Sequence, residues 1–131
     1  MLFTGHERDI VEWFFQRSAL DWRATFSEAD IDEYVRAYSR PTSLRGMLEY
    51  YRAVPENAVR NRKIAQAGIR IPVLAIVGAS SGSRELPQRL EPIAGDVSTV
   101  ILDRARHYVA EDQPEAVAAA LDRFAGRVSG A

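Results

Sequence analysis

A chain of 131 residues, 47% of them hydrophobic, is long enough for one domain with its own core. The absence of cysteine removes disulfides, thiolate nucleophiles and cysteine-ligated zinc from consideration. Seventeen Lys and Arg stand against eighteen Asp and Glu, so the chain lacks the one-sided basic field that phosphate-backbone binding needs, and nucleic acid is not an expected partner.

The opening "MLFTGHERDI" places His6, Glu7, Arg8 and Asp9 where a secretory signal needs an unbroken apolar stretch. No run of about 18 apolar residues follows anywhere, the length a membrane helix requires. A cytoplasmic protein without membrane contact is the expectation.

Aromatic residues crowd the first half: beyond Tyr51 only Tyr108 and Phe124 remain. Over residues 6–17, Ile10, Val11, Trp13, Phe14 and Phe15 cover one broad face of a helix, a face that either packs or lines a pocket together with Trp22. "SEADIDEYVRAY" starts a second helix, with Ser27 as cap and Asp30 at the reciprocal capping-box position, and Pro41 is placed to stop it. Its carboxylates Glu28, Asp30, Asp32 and Glu33 lack the glycine and spacing of a calcium loop and suit the positive end of a helix dipole.

Thr42 or Ser43 can cap a third helix, "LRGMLEYYRAV", which Pro55 is expected to end, and "ENAVRNRKIAQAG" forms a fourth that stops at Gly68. The region 1–68 is thus expected to be all helical. From Ile69 the pattern changes. "IPVLAIVG" is a nearly continuous apolar run of the kind seen in a parallel strand covered on both faces. After "ASSGS", whose amides could cradle an anion only weakly without a Lys-Ser/Thr partner, comes "RELPQRLEPIAG", a helix interrupted by Pro87. "VSTVIL" is a second strand, and "PEAVAAALDRFAGRV" is a closing helix with Asp112 as a plausible cap.

The fold class is therefore α/β: a helical segment, then strand, helix, strand, helix over 69–131, with a right-handed parallel crossover. Two parallel strands make a poor independent sheet, and a strand as apolar as 71–78 normally has neighbours on both sides. An open strand edge, satisfied by missing strands or by another copy of the chain, is expected.

His107 sits between the last strand and the last helix, either as a proton acceptor or as a loop histidine. His6 has no supporting residues around it and is expected to be exposed. Tyr50 and Tyr51 are about 100° apart on their helix, so one can face a pocket while the other points away.

The aromatic helices, "IPVLAIVGASSGS" and "VSTVILDRARHYVAEDQPEAV" together resemble the C-terminal part of α/β-hydrolases of the epoxide hydrolase and haloalkane dehalogenase type. The resemblance implies a helical cap over residues 6–68, the penultimate core strand at 71–77, the last strand at 97–102 and the closing helix at 113–127. It implies that His107 is the general base, activating the water that hydrolyses an ester formed on a nucleophilic aspartate. It implies that a tyrosine of "LEYYRA", Tyr51 first and Tyr50 second, donates a hydrogen bond to the epoxide oxygen. A small apolar substrate follows, with no metal or organic cofactor.

No elbow carrying an Asp nucleophile occurs in the 131 residues; in the family it lies in an N-terminal half of the core. Where many members carry the triad acid after the penultimate strand, Ser81 is the nearest equivalent here. Either the acid lies on the missing half or the triad is incomplete, with Asp103, Glu111 and Asp112 close to His107 in sequence as possible substitutes. Arg106 stands where the family commonly has Gly. The expectation is a piece that does not turn over alone, pairing with its missing half or with itself through the open strand edge. The alternative is a non-catalytic binding or oligomerisation module of the same descent.

Overall fold

The structure, a computed structural model, describes residues 5–40 and 42–130. Five helices come first: α1 (Glu7–Ser18), α2 (Trp22–Thr25), α3 (Glu28–Tyr38), α4 (Ser43–Arg52) and α5 (Val54–Ala67). Then follow β1 (Val73–Gly78), α6 (Leu86–Leu90), β2 (Val97–Leu102), α7 (Val109–Asp112) and α8 (Pro114–Ser129).

Local chemistry accounts for most of these boundaries. Ser27 accepts from the Asp30 amide while the Asp30 carboxylate accepts from the Ser27 amide, a complete capping box at the start of α3. Pro41, the expected stop for α3, lies outside the described residues. Pro55 does not end a helix as expected. It occupies the first turn of α5, where its missing N–H has no intrahelical partner to lose. Pro87 likewise starts α6 rather than interrupting a longer helix, and α6 shrinks to five residues. Gly68 closes α5 with a positive φ of 71°. Thr42 stands at the cap position of α4 without a side-chain bond, and neither α2 nor α7 was expected from periodicity, each being a single turn.

β1 and β2 pair in parallel, from Val73 opposite Val97 to Gly78 opposite Leu102, and a further parallel bridge joins Ile69 to Ala94. The sheet has two strands among the described residues, so β1 is paired on one edge only. The burial differs between the strands. Every residue of β1 is buried or half-buried, whereas Thr99 and Ile101 of β2 are exposed on one face. β1 thus has the composition and cover of an inner strand while one of its edges carries unpaired backbone groups. α8, with Ala120 buried, packs against both strands, as does α6.

The main core lies among the helices. Val11, Phe15, Ala19, Phe26 and Ile31 are buried together. Phe15 and Phe26 stack face to face with ring centroids 3.8 Å apart, and Tyr34 meets both edge-on. The fourth ring of this cluster comes from the far end of the chain. Tyr108 stands edge-on to Phe15 and to Phe26, 5.6 Å from each. The loop after β2 is thereby packed into the helical core.

Candidate functional site

The segment from Ala105 to Tyr108 is fixed on all sides. Gly78 ends β1 directly beneath it: a Cβ there would stand 2.2 Å from the Arg106 carbonyl oxygen and 2.4 Å from that of Ala105, so only glycine permits the approach. Beyond it the Ala79 amide donates to the Leu102 carbonyl and the Ser80 amide to the Ala105 carbonyl. From the helical side, the Ser18 carbonyl at the end of α1 accepts from the His107 amide at 2.9 Å. The Arg106 amide donates to Asp112 Oδ2 at 2.8 Å. Tyr108 is anchored by its ring, and burial pushes its phenol up to about 12, with Tyr34, Tyr38 and Glu111 adding to the effect.

With both neighbours held, the His107 side chain remains exposed at the edge of a cavity of about 430 Å³. Its ring lies edge-on to Tyr108, centroids 5.5 Å apart. α1 supplies one wall through Ile10, Phe14 and Arg17, residues at i, i+4 and i+7 on one face. α3 contributes Tyr34 and Tyr38, and α4 contributes Leu44, Met47 and Tyr51, again one face at i, i+3 and i+7. The loop after β1 closes the far side with Ser80, Ser81, Gly82 and Ser83.

Tyr51 and His107 therefore line the same cavity, and Ser81 lines it with them. Tyr50 does not; it is 71% exposed and points away, touching the Tyr51 ring edge-on. The helical period separates the two, as one turn of α4 can direct only one of them inward. The aromatic set of α1 and α2 divides in a similar way. Phe14 faces the cavity, Phe15 is core, Trp22 packs against the core, and Trp13 is half-exposed under the Arg17 guanidinium.

The acids near His107 have other partners. Asp112 does not cap α8, whose cap position is Gln113. Instead Asp112 Oδ1 accepts from the Leu20 amide at 3.2 Å and the Thr25 hydroxyl at 3.1 Å, while Oδ2 takes the Arg106 amide. Glu111 accepts from the Tyr34 hydroxyl at 3.4 Å, and burial together with this carboxylate raises the Tyr34 phenol. Asp103 is exposed. Ser81 Oγ accepts from the Ser83 amide and brings no charge. Among the described residues no carboxylate forms an ion pair with His107; the paired histidine is His6, exposed beside Asp9.

The Gly/Ser loop is not an anion cradle, because the amides of Ser80, Ser81 and Ser83 already donate to Ala105, Gly78 and Ser81. The acidic start of α3 is tied up as well. Glu28 and Asp32 pair with Arg8, and Glu33 pairs with Arg36. Among the described residues no cluster of three His, Asp or Glu could hold a metal. No helix among them is long and apolar enough to cross a membrane.

The sequence pointed to His107, Tyr51 and Ser81 but not to the arrangement that fixes them. The Gly78 contact and the Tyr108 anchor are long-range, and no local signal in the sequence marks them.

No family model matches the chain. Among curated proteins it is 33% identical over 92 residues to the soluble epoxide hydrolase of Corynebacterium sp. strain C12. That alignment covers 70% of this chain and 32% of the relative. It is 29% identical over 104 residues to epoxide hydrolase A of Mycobacterium tuberculosis, covering 77% of this chain and 32% of the relative. The chain thus spans about a third of the length of the curated relatives it matches.

Among solved structures, Cfl2 of Burkholderia cenocepacia superposes with a TM-score of 0.86 at 35% identity, over 94% of this chain and 42% of that one. The epoxide hydrolase CorEH superposes at 0.77 with 26% identity, over 91% and 44%. A protein described as a putative acyltransferase from Salmonella enterica, at 19% identity, superposes at 0.86 and shares the fold.

Proposed function

We infer that this chain, a relative of the epoxide hydrolase-type α/β-hydrolases over part of their length, supplies the base and the epoxide-binding wall of such a hydrolase. Residues 1–68 form the cap-like region and 69–131 the C-terminal core portion. The nucleophile comes from an N-terminal half, on the same polypeptide or another. The observation that carries this reading is the shared cavity of His107 and Tyr51, with the His107 loop bound on both sides.

The chemistry follows from those positions. A carboxylate of the other half attacks an epoxide carbon, the C–O bond breaks, and an alkyl ester forms. The Tyr51 phenol donates to the oxygen on which charge develops. His107 takes a proton from water as that water attacks the ester carbonyl. The ester bond to the alkyl oxygen then breaks, the water's two protons end on the two diol oxygens by way of the imidazole, the carboxylate is restored and the diol leaves. The acid that orients His107 belongs to the other half, since Ser81 carries no charge and the Asp112 carboxylate is engaged by three donors. The side chains of Phe14, Leu44 and Met47 suit a small apolar substrate. The unpaired edge of β1 is where a strand of the other half adds.

A second reading is favoured by the same edge and by the exposed Val59, Ile64 and Ile71: a non-catalytic module that associates with copies of itself.

The test joins the N-terminal portion of the Corynebacterium epoxide hydrolase, up to the matched segment, to this chain and follows diol formation from a small aryl epoxide. The chain alone gives no turnover. The joined protein turns over, and His107→Ala lowers its rate about 10²- to 10⁴-fold. Turnover by the chain alone, or a folded joined protein indifferent to His107→Ala, contradicts the proposal.

A further inference from the structure

We infer that Asp112 is a positioning residue for His107: its carboxylate is a clasp between the α1–α2 corner and the loop that carries the imidazole. The clasp stands on geometry alone; its catalytic consequence rests on the proposed role of His107.

Three donors converge on the one carboxylate. Leu20 N and Thr25 Oγ1 reach Oδ1 at 3.2 and 3.1 Å, and Arg106 N reaches Oδ2 at 2.8 Å. Leu20 and Thr25 are 92 and 87 residues away in sequence, and Arg106 immediately precedes His107. A carboxylate is the side chain that can do this, because both of its oxygens accept and charge shortens and strengthens each bond. An amide of the same shape has one acceptor oxygen. It can hold the corner or the loop, not both.

The position matters because the same corner holds His107 directly: Ser18 O, two residues before Leu20, accepts from the His107 amide. Asp112 is half-buried and lies at the end of α7, where it caps neither α7 nor α8. Its three bonds are the local account of why an acid stands there. Residues 106 and 107 are thus bound in succession to one short stretch of the helical region, and the imidazole direction is set by that pair.

Asp112→Asn tests this with two readouts. In the 131-residue chain, amide hydrogen exchange at Arg106 or Leu20 accelerates about tenfold or more while Ile76 and Val100 in the sheet keep their protection. An unchanged pattern, or a rise that includes Ile76 and Val100 equally, overturns the clasp.

In the joined protein, a misdirected base slows hydrolysis of the ester without slowing its formation. Then kcat and KM fall by the same factor, about tenfold, and kcat/KM is preserved within about twofold. A loss of folded molecules lowers kcat with KM unchanged and overturns the positioning role. If the joined protein with Asp112 intact shows no turnover, the proposed function fails, and the exchange readout still decides the clasp.

Discussion

Gly78→Ala probes the closest approach found at any described glycine. The added Cβ meets the Arg106 carbonyl oxygen at 2.2 Å, the Ala105 carbonyl oxygen at 2.4 Å and the Ala105 carbonyl carbon at 2.6 Å, all backbone atoms. Contacts below 3.0 Å do not persist for real Cβ atoms, so the Ala105–Arg106 segment has to withdraw from 2.2 to beyond 3.0 Å. It cannot do so freely, because the Ser80 amide is bonded to Ala105 O, the His107 amide to Ser18 O and the Arg106 amide to Asp112. Overpacking of this kind costs about 1–3 kcal/mol. With a urea slope of about 1–3 kcal/mol per molar, the unfolding midpoint drops by about 1 M.

Gly82→Ala and Gly95→Ala serve as controls, since nothing lies within 4 Å of a Cβ at either position and neither has a positive φ. They stay within about 0.5 kcal/mol of the parent. In the joined protein, Gly78→Ala also displaces His107, and a misplacement near 1 Å lowers turnover about 10²-fold. An unfolding midpoint for Gly78→Ala equal to that of the controls refutes the reasoning.

Tyr108, raised to about 12 mainly by burial, makes folding sensitive to alkali. A folded pKa above the unfolded one contributes stability that is complete below the unfolded value of 10.0 and is lost as pH rises through about 12. Urea titrations of the parent and of Tyr108→Phe across that window show the parent losing the more. At α3, Ser27→Ala removes the cap bond to the Asp30 amide and lowers stability by about 1 kcal/mol near neutral pH, read by thermal denaturation. Asp30 is held below its ordinary value first by the Ser27 hydroxyl and then by the Ser27 amide. That contribution exists above the unfolded value and disappears as pH falls through the lowered one, so the gap between parent and Ser27→Ala narrows in acid to what the cap bond to the Asp30 amide supplies. In the joined protein Tyr51→Phe lowers kcat/KM for an epoxide about 10²-fold, whereas Tyr50→Phe leaves it within about twofold, because Tyr50 points away from the cavity.

The order of elements was legible because periodicity and capping are local. Ser27 and Asp30 announce α3, and the apolar run 73–78 announces β1. The prolines misled for a local reason as well: Pro55 and Pro87 suit a first turn as readily as they end a helix, and the sequence around them does not say which. The single-turn α2 and α7 are too short for a period to register.

At the site, Tyr51 separates from Tyr50 once Leu44 and Met47 fix the inward face of α4, which the sequence suggested without deciding. The position of Asp112 could not be read at all. As a residue just before a helix it looks like a cap, and only the fold brings Leu20 and Thr25 to it. Gly78 gave the same false simplicity, a glycine at a strand end whose requirement comes from a carbonyl 28 residues away.

The most direct measurement is intact-mass spectrometry of the joined protein mixed with a small aryl epoxide. If His107 drives ester hydrolysis, His107→Ala accumulates one covalent adduct on the N-terminal portion while the parent returns to its unmodified mass and releases diol. Diol release by His107→Ala at the parent rate, with no adduct at any time, would contradict the account.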